Sequence, residues 1–209
     1  LLIVDSGLVG IGIQMRNMDN YLVPKTKERV FENWYIVREF LQPKDIIHYK
    51  QSMSSIDWQD SVTVGETDNY RNSYVKWTPK YQGDKFNWLY ERIWNWTNIA
   101  NDELWQFDLV GFKDSPQYTR YESPGGKYDW HMDIAGKGIN HRKVSFVCEL
   151  GTNFEGGKLQ FKTGAGHQQI DLNYGDAVLF PSFYLHRVTP LTEGTRESLV
   201  QWISGKPYK

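Results

Sequence analysis

The spacing of apolar positions changes once along this 209-residue chain. Residues 34–41 form a compact, partly β-branched apolar run that reads as a strand. Pro43 then suits the first turn of a helix reaching about Met53, with Ile46, Ile47, Lys50 and Met53 at helical spacing. Residues 54–84 are polar and irregular, punctuated by Gly65, Pro79 and Gly83. Phe86, Leu89, Tyr90, Ile93, Trp94 and Thr97 then recur on one face of a second helix. After Asn101 the period becomes two, with Trp105, Phe107 and Leu109 alternating with Gln106 and Asp108. Strand-like runs follow at about 116–121, 127–134, 143–150, 157–162, 167–172, 176–180, 184–190 and 196–203, separated by short turns.

Two helices followed by about eight short strands predict a mainly β (α+β) fold. The expected architecture is a double-stranded β-helix, or jelly roll, with the N-terminal helices packed on one outer face. Residues 1–28 read as an N-terminal extension, a short hairpin, ahead of one double-stranded β-helix domain over 29–209. No repeat or low-complexity segment interrupts the chain.

Composition narrows the function classes. Hydrophobic residues make up 40% and charged residues 23% of the chain, which excludes a disordered segment. The formal net charge is −1 with Lys and Arg scattered, so neither a nucleic-acid nor a membrane partner is expected. Cys148 is the single cysteine, which suits a reducing, intracellular and most simply cytoplasmic setting. The opening Leu1-Leu2-Ile3-Val4 run, broken at Asp5, Ser6 and Gly7, reads as neither a signal peptide nor a membrane span. Nine Trp among 15% aromatic residues call for a core or cleft able to take large flat side chains.

The candidate chemistry lies in the strand region. In Tyr128-Asp129-Trp130-His131-Met132-Asp133, side chains two apart on a strand point to one face, so His131 and Asp133 can converge on an ion. A second imidazole must come from elsewhere, and His186 is the best candidate. Two imidazoles and a carboxylate cover one face of an octahedral ion and leave three positions open, which points to Fe(II) with a chelating co-substrate and O₂. A closed zinc site needs a fourth ligand, and none is well placed. Arg196 and Ser198 also share a face, and an Arg fork with a hydroxyl matches the remote carboxylate of 2-oxoglutarate.

These motifs carry a family resemblance. Gln117-Tyr118-Thr119-Arg120-Tyr121 through Asp133 resembles the first metal-binding strand of prolyl-4-hydroxylase-like (PKHD-type) oxygenases. Arg142–Phe146 and Phe154–Leu159 resemble that family's middle strands. Phe180–Pro190 followed by Gly194–Leu199 resembles its last two. The resemblance spans roughly residues 31–209, with its sharp motifs after 117. It implies a double-stranded β-helix core, Fe(II) on His131, Asp133 and His186, 2-oxoglutarate on Arg196, and Tyr121 beside the co-substrate. It implies hydroxylation of a substrate as 2-oxoglutarate is decarboxylated to succinate, with ascorbate a conceivable auxiliary. A prolyl or other peptide residue is preferred as substrate over a small molecule. Glu149 stands where some relatives place a tyrosine against the co-substrate; an acid there repels a dicarboxylate unless it faces away or pairs with a cation such as Lys143.

Plainer roles compete for the remaining residues. His48, His141 and His167 read as solvated, Arg187 as facing outside the barrel, and Arg142 and Lys143 as an exposed strand start or a contact to co-substrate. Tyr128 and Trp130 read as core packing before substrate stacking. Cys148 shares a face with Val144, Phe146 and Leu150 and reads as a buried, inert thiol. Thr163-Gly164-Ala165-Gly166 reads as a hairpin turn rather than a phosphate loop. The rival to an enzyme is a non-catalytic metal-binding jelly-roll module; a metal-assisted reaction without 2-oxoglutarate is a third reading.

Overall fold

The computed structural model describes residues 33–61, 70–80, 83–134 and 138–206. The hairpin expected within residues 1–28 lies outside them. In chain order the elements are β1 (Tyr35–Val37), α1 (Pro43–Ser52), β2 (Gln59–Asp60), β3 (Arg71–Asn72), β4 (Tyr74–Trp77), α2 (Asn87–Ala100), β5 (Leu109–Gly111), β6 (Gln117–Glu122), β7 (Lys127–His131), β8 (Arg142–Glu149), β9 (Phe154–Gly156), β10 (Leu159–Thr163), β11 (Gly166–Ile170), β12 (Ala177–Pro181), β13 (His186–Val188) and β14 (Leu191–Gly205).

The strands make two antiparallel sheets. The major sheet runs β1-β12-β8-β14-β6-β4-β2, with β5 and β9 also paired to β14. The minor sheet runs β11-β10-β13-β7-β3. This is the expected jelly roll with helices against one face.

Period-two alternation divides the major sheet into a structural and a chemical face. On β8, Val144, Phe146 and Cys148 join Leu179 of β12 and Leu199 and Ile203 of β14 in the core beneath the helices. The intervening Val147 packs instead with Val178, Phe161 and Phe180 between the sheets. Every residue of β8 is therefore buried, because both of its edges are paired and both of its faces are covered.

The helices fit that face through a few residues each. Ile46, Tyr49 and Met53 of the first helical segment are fully buried, as are Leu89 and Ile93 of α2. Each such side chain contributes on the order of 2 kcal/mol from area removed from water. Ile47 is 53% exposed and the buried stripe passes through Tyr49 instead, so the expected face is rotated by part of a turn. The Tyr49 hydroxyl is 2.7 Å from that of Thr78, which lets the large polar ring lie inside.

Three sequence expectations change. The strand expected at 34–41 ends at Val37, because Glu39 adopts φ +51° and its N–H donates to Asp176. The alternation at Trp105, Phe107 and Leu109 is not one strand: α2 continues into a π-turn over Asn101–Trp105, and β5 starts only at Leu109. Asn101 then clasps the Phe107 backbone through both its amide atoms, and Gln106 turns left-handed at φ +56°. The irregular 54–84 region contains β4, which pairs in register with β6. Around the turn at Gly164, Thr163 pairs with Gly166, as a hairpin requires.

Candidate active site

A cavity of about 510 Å³ opens between the two sheets. His131, Asp133, His186, Tyr121, Arg196 and Ser198 all line it. Each arrives there by a different local device.

His131 ends β7 and pairs directly with His186, which begins β13. Each imidazole directs Nδ1 at the backbone carbonyl two residues earlier, Asp129 at 2.7 Å and Tyr184 at 2.8 Å. Donation from Nδ1–H to those carbonyls leaves the Nε2 lone pairs free to face the cavity. Asp133 lies two residues beyond the end of β7, in a turn rather than on the strand expected over 127–134. Its N–H donates to the Ser182 carbonyl at 2.9 Å, and its Oδ2 accepts from Ser145 at 2.6 Å. The Ser145 and Ser182 hydroxyls are in turn 2.9 Å apart.

The three ligand atoms converge. Asp133 oxygens are 3.7 Å from His131 Nε2 and 3.6 Å from His186 Nε2, and the potential ligand atoms all lie within 4.8 Å of one another. Among the described residues this is the one such group of His, Cys, Asp and Glu side chains. Burial, then the neighbouring His186, push the His131 imidazole down to about 3, so it is neutral and ready to ligate. Burial works to raise the Asp133 carboxyl, but the two imidazoles and Ser145 outweigh it and hold it below its usual value. Two neutral nitrogens and one carboxylate oxygen, each fixed by a second hydrogen bond, are a donor set that fits a divalent metal.

Arg196, Ser198, Val200 and Trp202 of β14 face the cavity together with Gln117, Thr119 and Tyr121 of β6, opposite the helix face. Arg196 is almost fully buried, and its Nε donates to Glu149 Oε2 at 2.9 Å. Glu149 therefore pairs with Arg196 itself, not with Lys143, and it lines a separate small crevice rather than the cavity. Burial raises its carboxyl above the usual range, despite Arg196 and the Gly151 N–H. Gly157 permits the close packing here: at φ +57° a β-carbon would come within 3.0 Å of Arg196 Cδ.

Several residues differ from their expected roles. Tyr128 and His131 stack with ring centroids 3.5 Å apart, because the β7–β13 register shifts between them and turns both to one side. Trp130 also borders the cavity, with Arg187 4.5 Å over its ring. Arg187 bonds Gln160 rather than an acid. Arg142 lines the cavity too, 3.8 Å over Trp202 and paired with Asp114. His48 and His167 are exposed, and His141 lies 3.5 Å from Asp114, apart from the triad. Of the aromatic residues in 54–84, Tyr70 and Trp77 border the cavity, whereas Trp58 packs on Tyr118 toward the helices. Ser145, Ser182 and Arg71 were missed by sequence reasoning. Only Ser145 left a signal, a small hydroxyl set between Val144 and Phe146 in a strand.

A sequence model described as the 2OG-Fe(II) oxygenase superfamily matches residues 116–204, the stretch that contains every residue of the triad and Arg196. Residues 116–204 therefore match the 2OG-Fe(II) oxygenase superfamily, and the chain is similar to its PKHD-type hydroxylases. A PKHD-type hydroxylase of Idiomarina loihiensis is 36% identical over 115 residues, 51% of this chain and 52% of that protein. The PKHD-type hydroxylase YbiX of Shigella flexneri is 29% identical over 180 residues, 81% of this chain and 77% of its own. Among solved structures, a Trichoplax adhaerens prolyl hydroxylase in complex with a hypoxia inducible factor peptide fragment aligns with TM-score 0.69 at 17% identity, covering 83% of this chain and 84% of that one. A Pseudomonas putida prolyl-4-hydroxylase aligns with TM-score 0.65 at 21% identity, covering 83% and 93%. The chain thus shares its fold with prolyl hydroxylases. No helix among its described residues is long and apolar enough to cross a membrane.

Proposed function

We propose that His131, Asp133 and His186 hold the Fe(II) ion of this oxygenase, and that Arg196 with Ser198 receives the remote carboxylate of 2-oxoglutarate. The carrying observation is that two imidazoles with Nδ1 tied to carbonyls present Nε2 beside Asp133 in the cavity that Arg196 also lines. Bound iron and 2-oxoglutarate would supply the oxidising chemistry together with O₂, one oxygen atom entering succinate as CO₂ leaves and the other entering a substrate C–H bond. The protein's part is orientation and exclusion of water. Ser145 fixes the Asp133 carboxylate, and the Asp129 and Tyr184 carbonyls fix both imidazoles. Buried Tyr121 lies beneath the Arg196 guanidinium, 5.7 Å from ring centre to Cζ, as a wall for the co-substrate.

For the substrate we favour a peptide, with a prolyl residue as the first to try. Trp77, Trp202, Trp130 and Tyr70 border the cavity, and flat aromatic rings suit a prolyl ring and its flanking backbone. The Trichoplax prolyl hydroxylase, in complex with a peptide fragment, supports the same choice. An intracellular setting, supported by the lone buried Cys148, and stimulation by ascorbate complete the reading.

The deciding experiment is anaerobic addition of Fe(II) and 2-oxoglutarate while watching for a metal-to-ligand charge-transfer band. The band should form, weaken in Arg196→Lys, and vanish in His131→Ala and His186→Ala, with succinate production following it. A band unchanged in both histidine variants would defeat the assignment. Tight Zn(II) binding without any 2-oxoglutarate affinity would instead favour the non-catalytic module.

A further inference from the structure

Arg196 reaches the cavity already neutralised. Its Nε is bound to Glu149 at 2.9 Å, and both side chains are at most 4% exposed. A guanidinium has five N–H donors, so the terminal nitrogens remain for a ligand, but the charge of the pair is already zero. A second carboxylate arriving at this cation would leave an uncompensated negative charge out of water, which is costly.

Arg71, the other cation beside Tyr121, lies over the Tyr128 ring and bonds Ser73 and Gln117, so it does not contact the Arg196–Glu149 pair. Lys158 and Asp171 line the crevice behind Glu149, but they lie 3.8 Å from each other and cancel in sign. Asp176 adjoins Glu149 through the backbone, accepting the Glu149 N–H, and its own carboxylate is paired with Arg38. Tyr121, the titratable side chain facing the pair from β6, is buried and neutral. Arg196 is therefore the cation that balances Glu149, and the group at this spot able to change charge is Glu149 itself. Burial already favours its neutral form.

We propose that Glu149 couples capture of the co-substrate to proton uptake: when the remote carboxylate of 2-oxoglutarate binds Arg196, Glu149 takes one proton from solvent. The oxygen of a neutral carboxyl can still accept from Arg196 Nε, so the guanidinium keeps its orientation while the three-group cluster returns to zero net charge. Glu149 is thus a positioning residue that makes co-substrate affinity depend on pH. The proposal rests on the assignment of the co-substrate carboxylate to Arg196.

Calorimetric titration of the anaerobic Fe(II)-loaded protein with 2-oxoglutarate, in buffers of different ionisation enthalpy, counts the protons directly. Pyruvate, a 2-oxo acid lacking the remote carboxylate, is the comparison ligand. Above the titration of Glu149, 2-oxoglutarate should bind with uptake of about one proton and weaken up to tenfold per pH unit, whereas pyruvate binds with none. In Glu149→Gln both effects should disappear. The same zero count for both ligands in the wild-type protein, or uptake that persists in Glu149→Gln, overturns the proposal. If 2-oxoglutarate binds no more tightly than pyruvate, the Arg196 assignment fails instead. The wild-type comparison decides even if Glu149→Gln does not fold.

Discussion

The phenol ring of Tyr128 lies nearly parallel to the imidazole of His131, at 16° and 3.5 Å between centroids. Arg71 covers the Tyr128 ring at 4.5 Å, so the imidazole ends a short stack. Tyr128→Ala removes a contact of about 0.5–1.5 kcal/mol and lets the ring tilt. Iron affinity, measured by competition with a metallochromic chelator, should fall severalfold in Tyr128→Ala and stay near wild type in Tyr128→Phe. Equal losses in both would mean that the hydroxyl, not the stack, matters.

Ser145 acts on the carboxylate arm of the triad. Its 2.6 Å hydrogen bond fixes Oδ2 of the Asp133 carboxylate. Supports of this kind are worth about 10- to 100-fold in metal affinity or activity. Ser145→Ala should lose about that much iron affinity, with thermal stability of the metal-free protein little changed. Unaltered affinity would show that Ser182 and the local backbone suffice.

The buried imidazole of His131 gives the metal-free protein a pH signature. Burial and His186 push it down to about 3, while in the unfolded chain it titrates near 6.5. Between those values the unfolded chain binds more protons, so stability falls as pH drops from about 6.5 towards 3. Denaturant titrations in the presence of a chelator should show this decline and a flatter one in His131→Asn. Parallel pH dependence in the two proteins would contradict it.

Asp176 behaves in the opposite chemical sense. Burial works to raise its carboxyl, but the Glu39 N–H, Arg38 and the Asn173 N–H outweigh it and hold it low. Its contribution is therefore complete above the unfolded carboxyl value of about 3.9 and is lost as pH falls through the lower folded value. Asp176→Ala should cost about 1–3 kcal/mol at pH 7, from the donors left without an acceptor. The gap from wild type should close only in strong acid, which denaturant curves at several pH values would reveal. A gap that persists unchanged at the lowest pH would assign Asp176 a packing role instead.

Much of this was legible because strand parity is a short-range property. His131, His186, Arg196 and Ser198 could be assigned to inward faces from neighbours one and two residues away. Tyr128 could not, since the register shift against β13 that turns it beside His131 is a property of two strands together. Trp105 and Phe107 alternate as a strand would, yet the Asn101 amide clasps the backbone into a turn that no periodicity announces. Tyr49 and Ile47 exchanged places for a related reason. Helical spacing fixes a stripe, but the direction in which the stripe points is set by the sheet beneath it.

β14 pairs in turn with β9, β6, β8 and β5, so it is stitched into the sheet along nearly its whole length. A strand held this way exchanges its amide hydrogens only when the whole molecule opens, not by local fraying. Arg196 sits on that seam. The guanidinium proposed to anchor the co-substrate is therefore mounted on one of the least mobile strands of the fold.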